Sequence, residues 1–235
     1  MRMQGQEIAL VGIMASLIVA SGYVPIIPIF GTGYTISLGS VLIMVVAILL
    51  GPVLGTLTVL VGSFAGMILT GQGIQLLFFI PATIGALTAA LLAWGRAREA
   101  IAIMALAILI WYSSPLGLEL WYYPYLHIAT LLAVIVTRPF IKPQGHREFK
   151  YGYPLIALFC MAGVLCDHLL GSTIAMFPPF ELPSEAYRFI LFIYPIERAL
   201  ICVVAATVAF PVIRALRSSS LPILGCNEDA VPDPP

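Results

Sequence analysis

The chain has 235 residues, of which 61% are hydrophobic and 9% charged, and its formal net charge is zero. So apolar a composition excludes an ordinary water-soluble domain, and the balanced charge excludes the basic surface that a nucleic-acid partner requires. Repeated apolar runs of about 20 residues match a hydrocarbon core in which a helix satisfies its own backbone, and the ten-residue alternation of a membrane barrel is missing. The sequence therefore reads as an all-α, polytopic transmembrane helical bundle of the cell membrane.

Eight hydrophobic segments follow one another, at roughly 6–29, 38–50, 53–70, 74–95, 99–118, 121–140, 152–177 and 186–217. The first leads straight into further spans with no small-residue cleavage site, so it is expected to remain as a helix rather than leave as a signal peptide. With a cytoplasmic N-terminus, the inner ends and loops hold Arg2, Arg96, Arg98, Arg138, Lys142, Arg147, Lys150, Arg214 and Arg217, nine of the eleven basic residues. The outer connections near 30–37, 71–73, 119–120 and 178–185 then contain no Lys or Arg. This is the positive-inside bias, and it places both termini in the cytoplasm. Residues 1–217 form the membrane domain, and the Ser-, Pro- and acid-rich end, 218–235, reads as a disordered cytoplasmic tail.

On segment 1, Gly5, Gly12, Ser16 and Ala20 recur at helical spacing, a small-residue face suited to docking another helix. In "ILLGPVLGTLTVLVGSFAGM", Gly51, Gly55, Gly62 and Gly66 fall within an arc of about 60° if one helix runs through them. Such a stripe is expected to pack inside the bundle, with a partner-protein face as the other reading; Pro52 suits a first helical turn and Gly51 the turn out of segment 2.

The block "WYSSPLGLELWYYPYLH" places Trp111, Tyr112, Trp121, Tyr122, Tyr123 and Tyr125 at the outer boundary. Two readings stand: an interfacial aromatic belt, or rings turned inward onto a flat heterocycle, with Glu119, Thr32, Tyr34, Gln72 and Gln75 supplying hydrogen bonds. His127, near the outer end of segment 6, is a buried hydrogen-bonded histidine or a proton switch.

Charges inside a span cost about 2.5–3.5 kcal/mol on insertion scales and usually face protein or water. Segment 7 carries Asp167 and His168, with Gly163, Asp167 and Gly171 on one small polar face. Segment 8 carries Arg188, Glu197 and Arg198, and at 3.6 residues per turn Tyr187, Tyr194 and Arg198 share a face. Glu197 and Arg198 are adjacent, so they diverge by about 100° and each needs a partner from another helix. An Asp167–Arg198 pair is the structural reading; contact of one of them with substrate is the functional one.

Enzyme chemistry finds no support. Ser113 or Ser114 with His127 lacks any nucleophile signature, and neither HExxH nor GxxxxGK[ST] occurs. Cys160, Cys166, Cys202 and Cys226 lack metal-ligand spacing and read as reduced thiols, three of them within spans. No metal or cofactor is expected.

The stretches "EIALVGIMASLIVAS", "VPIIPIFGTGYTISLGSVLIMVVAILLGPVLGTLTVLVGS", "LLFFIPATIGALTAALLAWGR" and "IYPIERALICVVAATVAFPVIRAL", taken in order, resemble the S components of energy-coupling factor transporters. The resemblance is clearest over 5–98 and 187–217. It implies a substrate-capture subunit for a vitamin or related micronutrient, surrounded by membrane lipid, that works with a transmembrane coupling subunit and two cytoplasmic ATPase subunits. The family has six spans, so a count of about eight means either an extra helix pair near 99–177 or a different division of the segments there. The family's Ala-x-x-x-Ala contact pattern on the first helix has its nearest equivalents in Gly12, Ser16 and Ala20, the expected partner-docking residues. The expected substrate contacts are Tyr34, Gln75, Trp111, Glu119, Trp121, Tyr187, Tyr194 and Arg198. A structural membrane subunit of the same fold is the alternative, and an intramembrane hydrolase a remoter one.

The charge distribution makes the topology testable. Single cysteines at Thr32 and Ser184 should be labelled by an impermeant reagent outside intact cells, and one at Gln144 should not. External labelling at position 144 would overturn the arrangement.

Overall fold

The structure is a computed structural model that describes residues 5–28, 35–69, 77–142 and 151–218. Tyr34, Gln72, Gln75, Thr32, Cys226 and the tail assigned to 218–235 beyond its first residue lie outside the described residues. Helices occupy every segment read from the sequence. They are α1 (Gly5–Gly22), α2 (Leu38–Leu69), α3 (Phe79–Ala93), α4 (Ala97–Tyr112), α5 (Pro115–Glu119), α6 (Tyr125–Thr137), α7 (Tyr153–Ile174) and α8 (Ser184–Ser218). By length and apolarity alone α1, α2, α7 and α8 are sufficient to cross a membrane, and α3 and α6, the latter extended to Phe140, are shorter apolar helices. The short α5 occupies the end of the segment read at 99–118, which the chain breaks after Tyr112; Ser114 caps it by accepting from the Gly117 amide at 2.9 Å.

Between α1 and α2 a two-stranded antiparallel hairpin forms, β1 (Pro25–Pro28) with β2 (Thr35–Ser37), its register broken between Pro25 and Ile27. The long α2 is two rods. Gly51 is not helical, with φ +81°, so the expected continuous glycine face does not exist at that position. The left-handed conformation costs a side chain about 1–2 kcal/mol, and Trp94 closes over the turn, where a Cβ on Gly51 has no room. The Trp94 indole donates to the Ile48 carbonyl at 3.3 Å. Past this turn the chain folds back on itself: a Cβ at Gly55 would lie 2.9 Å from the Ala47 Cα. Farther along, a Cβ at Gly62 would lie 3.1 Å from the Ala15 carbonyl of α1. Gly55 and Gly62 therefore serve close helix approach within this chain.

A Schellman turn ends α3. Gly95 takes φ +77°, its amide bonds the Leu92 carbonyl at 3.1 Å, and the Arg96 amide bonds Leu91 at 2.8 Å. Helix α7 lies at the centre, against α2, α3, α4, α6 and α8. From Ile156 to Thr173 it has no exposed residue. Its closest neighbour is α3, where two glycines meet: a Cβ at Gly163 would lie 2.7 Å from the Gly85 carbonyl and 2.9 Å from the Ala89 Cβ. The main core gathers around this axis from α2, α3, α4, α7 and α8, with Met44, Ala89, Ile156, Phe159 and Ala205 among its members.

Two glycines with opposite surroundings give a matched prediction. Gly163→Val should destabilise by on the order of 1–3 kcal/mol through overpacking against backbone. Gly12→Val, at a position where a Cβ meets nothing within 4 Å, should fall within about 0.5 kcal/mol of the parent. Thermal unfolding in detergent reads both, and equal losses would contradict the close α3–α7 approach.

Candidate functional site

At the end of the bundle where α4 leads through α5 to α6, the aromatic residues divide into two populations. Trp111 on α4, Tyr123 in the outer connection, and Tyr187 and Tyr194 on α8 are fully buried. Trp121 is 67% exposed and Tyr125 points largely outward. Trp121 and Tyr125 are thus exposed while Trp111 and Tyr123 are buried, and only tertiary contacts separate these neighbours in one short block. Trp111 stacks on Tyr123 with centroids 4.5 Å apart and 12° between planes. His168 stacks on Tyr194 at 4.5 Å, and His127 lies 5.4 Å from His168. Each such pair contributes about 0.5–1.5 kcal/mol beyond area burial.

Polar atoms tie the rings together. His127 Nε2 and His168 Nδ1 are 3.3 Å apart, and the Tyr123 hydroxyl is 3.1 Å from Ser172 Oγ. Tyr187 donates to the Ser172 carbonyl at 2.8 Å, and Tyr194 to the Tyr123 carbonyl at 3.1 Å. Desolvation pushes the Tyr123 phenol well above its usual range, so it stays neutral and able to donate. With their hydroxyls engaged by protein atoms, Tyr123, Tyr187 and Tyr194 form a rigid wall. The histidine pair is the part that sequence reading missed: two lone histidines on apolar helices, 41 residues apart, carry no local signal that they meet.

One turn inward from Tyr194, Arg198 approaches Asp167, with Nη1 to Oδ2 at 3.9 Å. That separation is an ion pair without a hydrogen bond. Among the described residues Arg198 Nε has no hydrogen-bond partner, and neither has Oε1 of Glu197, a residue 7% exposed. Asp167 is delivered by the α3–α7 glycine contact; a Cβ at Gly85 would lie 2.8 Å from the Asp167 Cβ. Trp111, Tyr187, Tyr194 and Arg198 are thus brought to one region. Glu119 is not, since it pairs with Arg188 at 3.0 Å on the exposed outer rim, both side chains about half exposed. Trp121 is likewise outside that region, although its carbonyl accepts from Tyr112 at 2.7 Å.

On α1 the expected docking residues Gly12, Ser16 and Ala20 are all exposed, while Val11, Ala15 and Ile18 on the other side are buried. Ser16 spends its hydroxyl on the Gly12 carbonyl at 2.9 Å, which leaves the stripe smooth. The thiols of Cys160, Cys166 and Cys202 are free and buried.

The geometry of the Asp167–Arg198 pair has a stability consequence. Arg198→Met should cost on the order of 1–2 kcal/mol, because the pair is open at 3.9 Å and its Asp167 side chain only partly buried, rather than the roughly 3–5 kcal/mol of a sealed pair. Thermal unfolding of this variant, Asp167→Asn and the double variant measures it. A loss at the upper figure, repaired by the second substitution, would show a purely structural pair.

Comparison with known proteins agrees with this architecture. Residues 2–114 match the family described as the S component of the ECF-type riboflavin transporter. An uncharacterized protein of Methanocaldococcus jannaschii is 26% identical over 179 residues, which are 75% of this chain and 60% of that protein, so the chain spans under two thirds of that relative's length. No solved structure matches. The first half of this multi-pass helical bundle, residues 2–114 with α1 to α4, is thus similar to the S components of energy-coupling factor transporters.

Proposed function

We propose that the chain is the substrate-capture subunit of an energy-coupling factor transporter and that its substrate is a flat-ring micronutrient of the riboflavin kind. The observation that carries this reading is the Asp167–Arg198 pair, charged and only loosely joined, inside a bundle of otherwise apolar helices. Ionisable groups at membrane depth are costly, and a small-molecule pocket needs an apolar wall with a few placed polar groups. The wall is supplied by the Trp111, Tyr123, Tyr187 and Tyr194 cluster beside the pair. The family matched by residues 2–114 supports the same role through its riboflavin member.

Transport then requires partners. The sequence holds no nucleotide-binding GxxxxGK[ST] loop, so ATP hydrolysis belongs to two separate cytoplasmic subunits, joined through a transmembrane coupling subunit. The exposed row Gly12, Ser16 and Ala20 is the surface proposed to meet that coupling subunit, because small side chains let two backbones approach in lipid. Tyr34 and Gln75 remain proposed contacts from the outer connections, and Glu119 and Trp121 are retained only as rim residues.

Purified alone, the chain should retain a small molecule visible by native mass spectrometry and should bind riboflavin or another flat-ring vitamin in titration. A chain that retains nothing and binds nothing returns to the reading of a structural subunit. Gly12→Leu and Ser16→Leu should weaken assembly with the coupling subunit while leaving binding by the solitary chain unchanged; equal loss of both would show that the row packs internally.

A further inference from the structure

Helices α4, α6 and α7 pack against one another, and between them lies a cavity of about 10 Å³. Aliphatic side chains make most of its lining; the exceptions are Met104 from α4, His127 from α6 and Cys166 from α7. Each of the three is buried, at 3% exposure. His127 Nε2 is engaged by His168 Nδ1 at 3.3 Å, whereas His127 Nδ1 has no hydrogen-bond partner among the described residues. A buried ring with one open nitrogen thus lines a space that it shares with a thiol and a thioether.

A cavity of this volume holds one small guest. An internal water makes about three hydrogen bonds, and here it would find one strong partner, His127 Nδ1, beside sulfur atoms that are weak donors and acceptors. A metal ion meets the same three groups differently. Thiolate and thioether are soft ligands that select Cu(I), and imidazole suits copper as well. Charge makes the same choice. Cu(I) takes the place of the Cys166 thiol proton, which leaves to solvent, so the net charge of the buried site does not change. Zn(II) would leave a surplus positive charge inside the bundle, because the lining residues include no second anion and the adjacent carboxylate, Asp167, is paired with Arg198. The exchange gives up only a weak thiol contact with Thr88, whose hydroxyl keeps its bond to the Ile84 carbonyl at 2.9 Å.

The surroundings of His127 suit a ligand. A metal-bound imidazole donates its other N–H to a fixed acceptor, which sets its tautomer and orientation. With Nδ1 turned to the ion, His127 Nε2–H donates to His168 Nδ1; His168 Nε2–H then faces the Tyr123 hydroxyl at 3.4 Å, itself 3.1 Å from Ser172 Oγ. Stacking on Tyr194 holds the His168 ring in place.

We infer that Met104, His127 and Cys166 form a binding site for a soft monovalent metal ion of the Cu(I) class, separate from substrate capture. The donors come from three helices, so no ligand spacing announces them in the sequence, and the expectation of no metal drawn from cysteine spacing does not reach them.

The test adds Cu(I) under anaerobic conditions, Ag(I) as its redox-inert counterpart, and Zn(II) for contrast to the untagged full-length chain in detergent, against a competing chelator. Wild type and Cys226→Ser, which removes the tail thiol, should each retain one Cu(I) or Ag(I) per chain by native mass spectrometry and no Zn(II). Met104→Leu, a volume-conserving change, should weaken retention by at least about tenfold, the smaller end of what even an outer-shell substitution costs in metal affinity. Cys166→Ser should retain none. X-ray absorption of the wild-type copper complex should show sulfur and nitrogen neighbours together, and it decides the matter even if Cys166→Ser folds poorly. No retained ion, equal retention by wild type and Met104→Leu, loss of retention in Cys226→Ser, Zn(II) held as tightly as Cu(I), or copper with sulfur neighbours alone overturns the site and leaves the capture role untouched.

Discussion

In lipid there is no water to reward the burial of apolar helices, so tight backbone contact between small residues has to supply the attraction that holds a bundle together. In this protein that contact is Gly85 against Gly163, where either glycine would drive a Cβ into the other helix's carbonyl. Everything in the outer half depends on it. It fixes α7 at the centre and sets Asp167 at the α3 boundary, within reach of Arg198 on α8. It also carries His168 and Ser172, one residue and one further turn beyond Asp167, into the aromatic wall.

The wall and the charged pair differ in how their polar atoms are met, although Trp111 Nε1 in the wall also lacks a partner among the described residues. Around Trp111, Tyr123, Tyr187 and Tyr194 the rings are in mutual contact and the tyrosine hydroxyls have protein partners, an arrangement that resists movement. Around Asp167 and Arg198 polar atoms are left without partners. Buried polar groups are ordinarily satisfied, since each unmatched one costs about 1–3 kcal/mol.

Helix α1 separates inside from outside in another sense. Its Val11, Ala15 and Ile18 side meets the second rod of α2 through Gly62, and its Gly12, Ser16 and Ala20 side is exposed among the described residues. A helix with apolar residues on both sides suits a protein whose outer face is lipid or another membrane subunit, and small residues on that face favour the subunit.

The sequence by itself determined the solvent, the helical class and the hydrophobic segments, because composition and run length are local properties that need no partner to act. It also placed the turn at Gly51–Pro52 and the shared face of Tyr187, Tyr194 and Arg198, which follow from chain geometry alone. Tertiary structure decided the rest. Periodicity put Glu119 and Trp121 in the same aromatic block as Trp111, and only the fold sends the first two to the rim and the third to the interior. The continuity of the glycine stripe failed at Gly51 because a helix cannot pass through a left-handed residue. The meeting of His127 with His168, and of Asp167 with Arg198, joins positions 41 and 31 residues apart; such pairings arise from which helices neighbour which, and no short stretch of sequence encodes that.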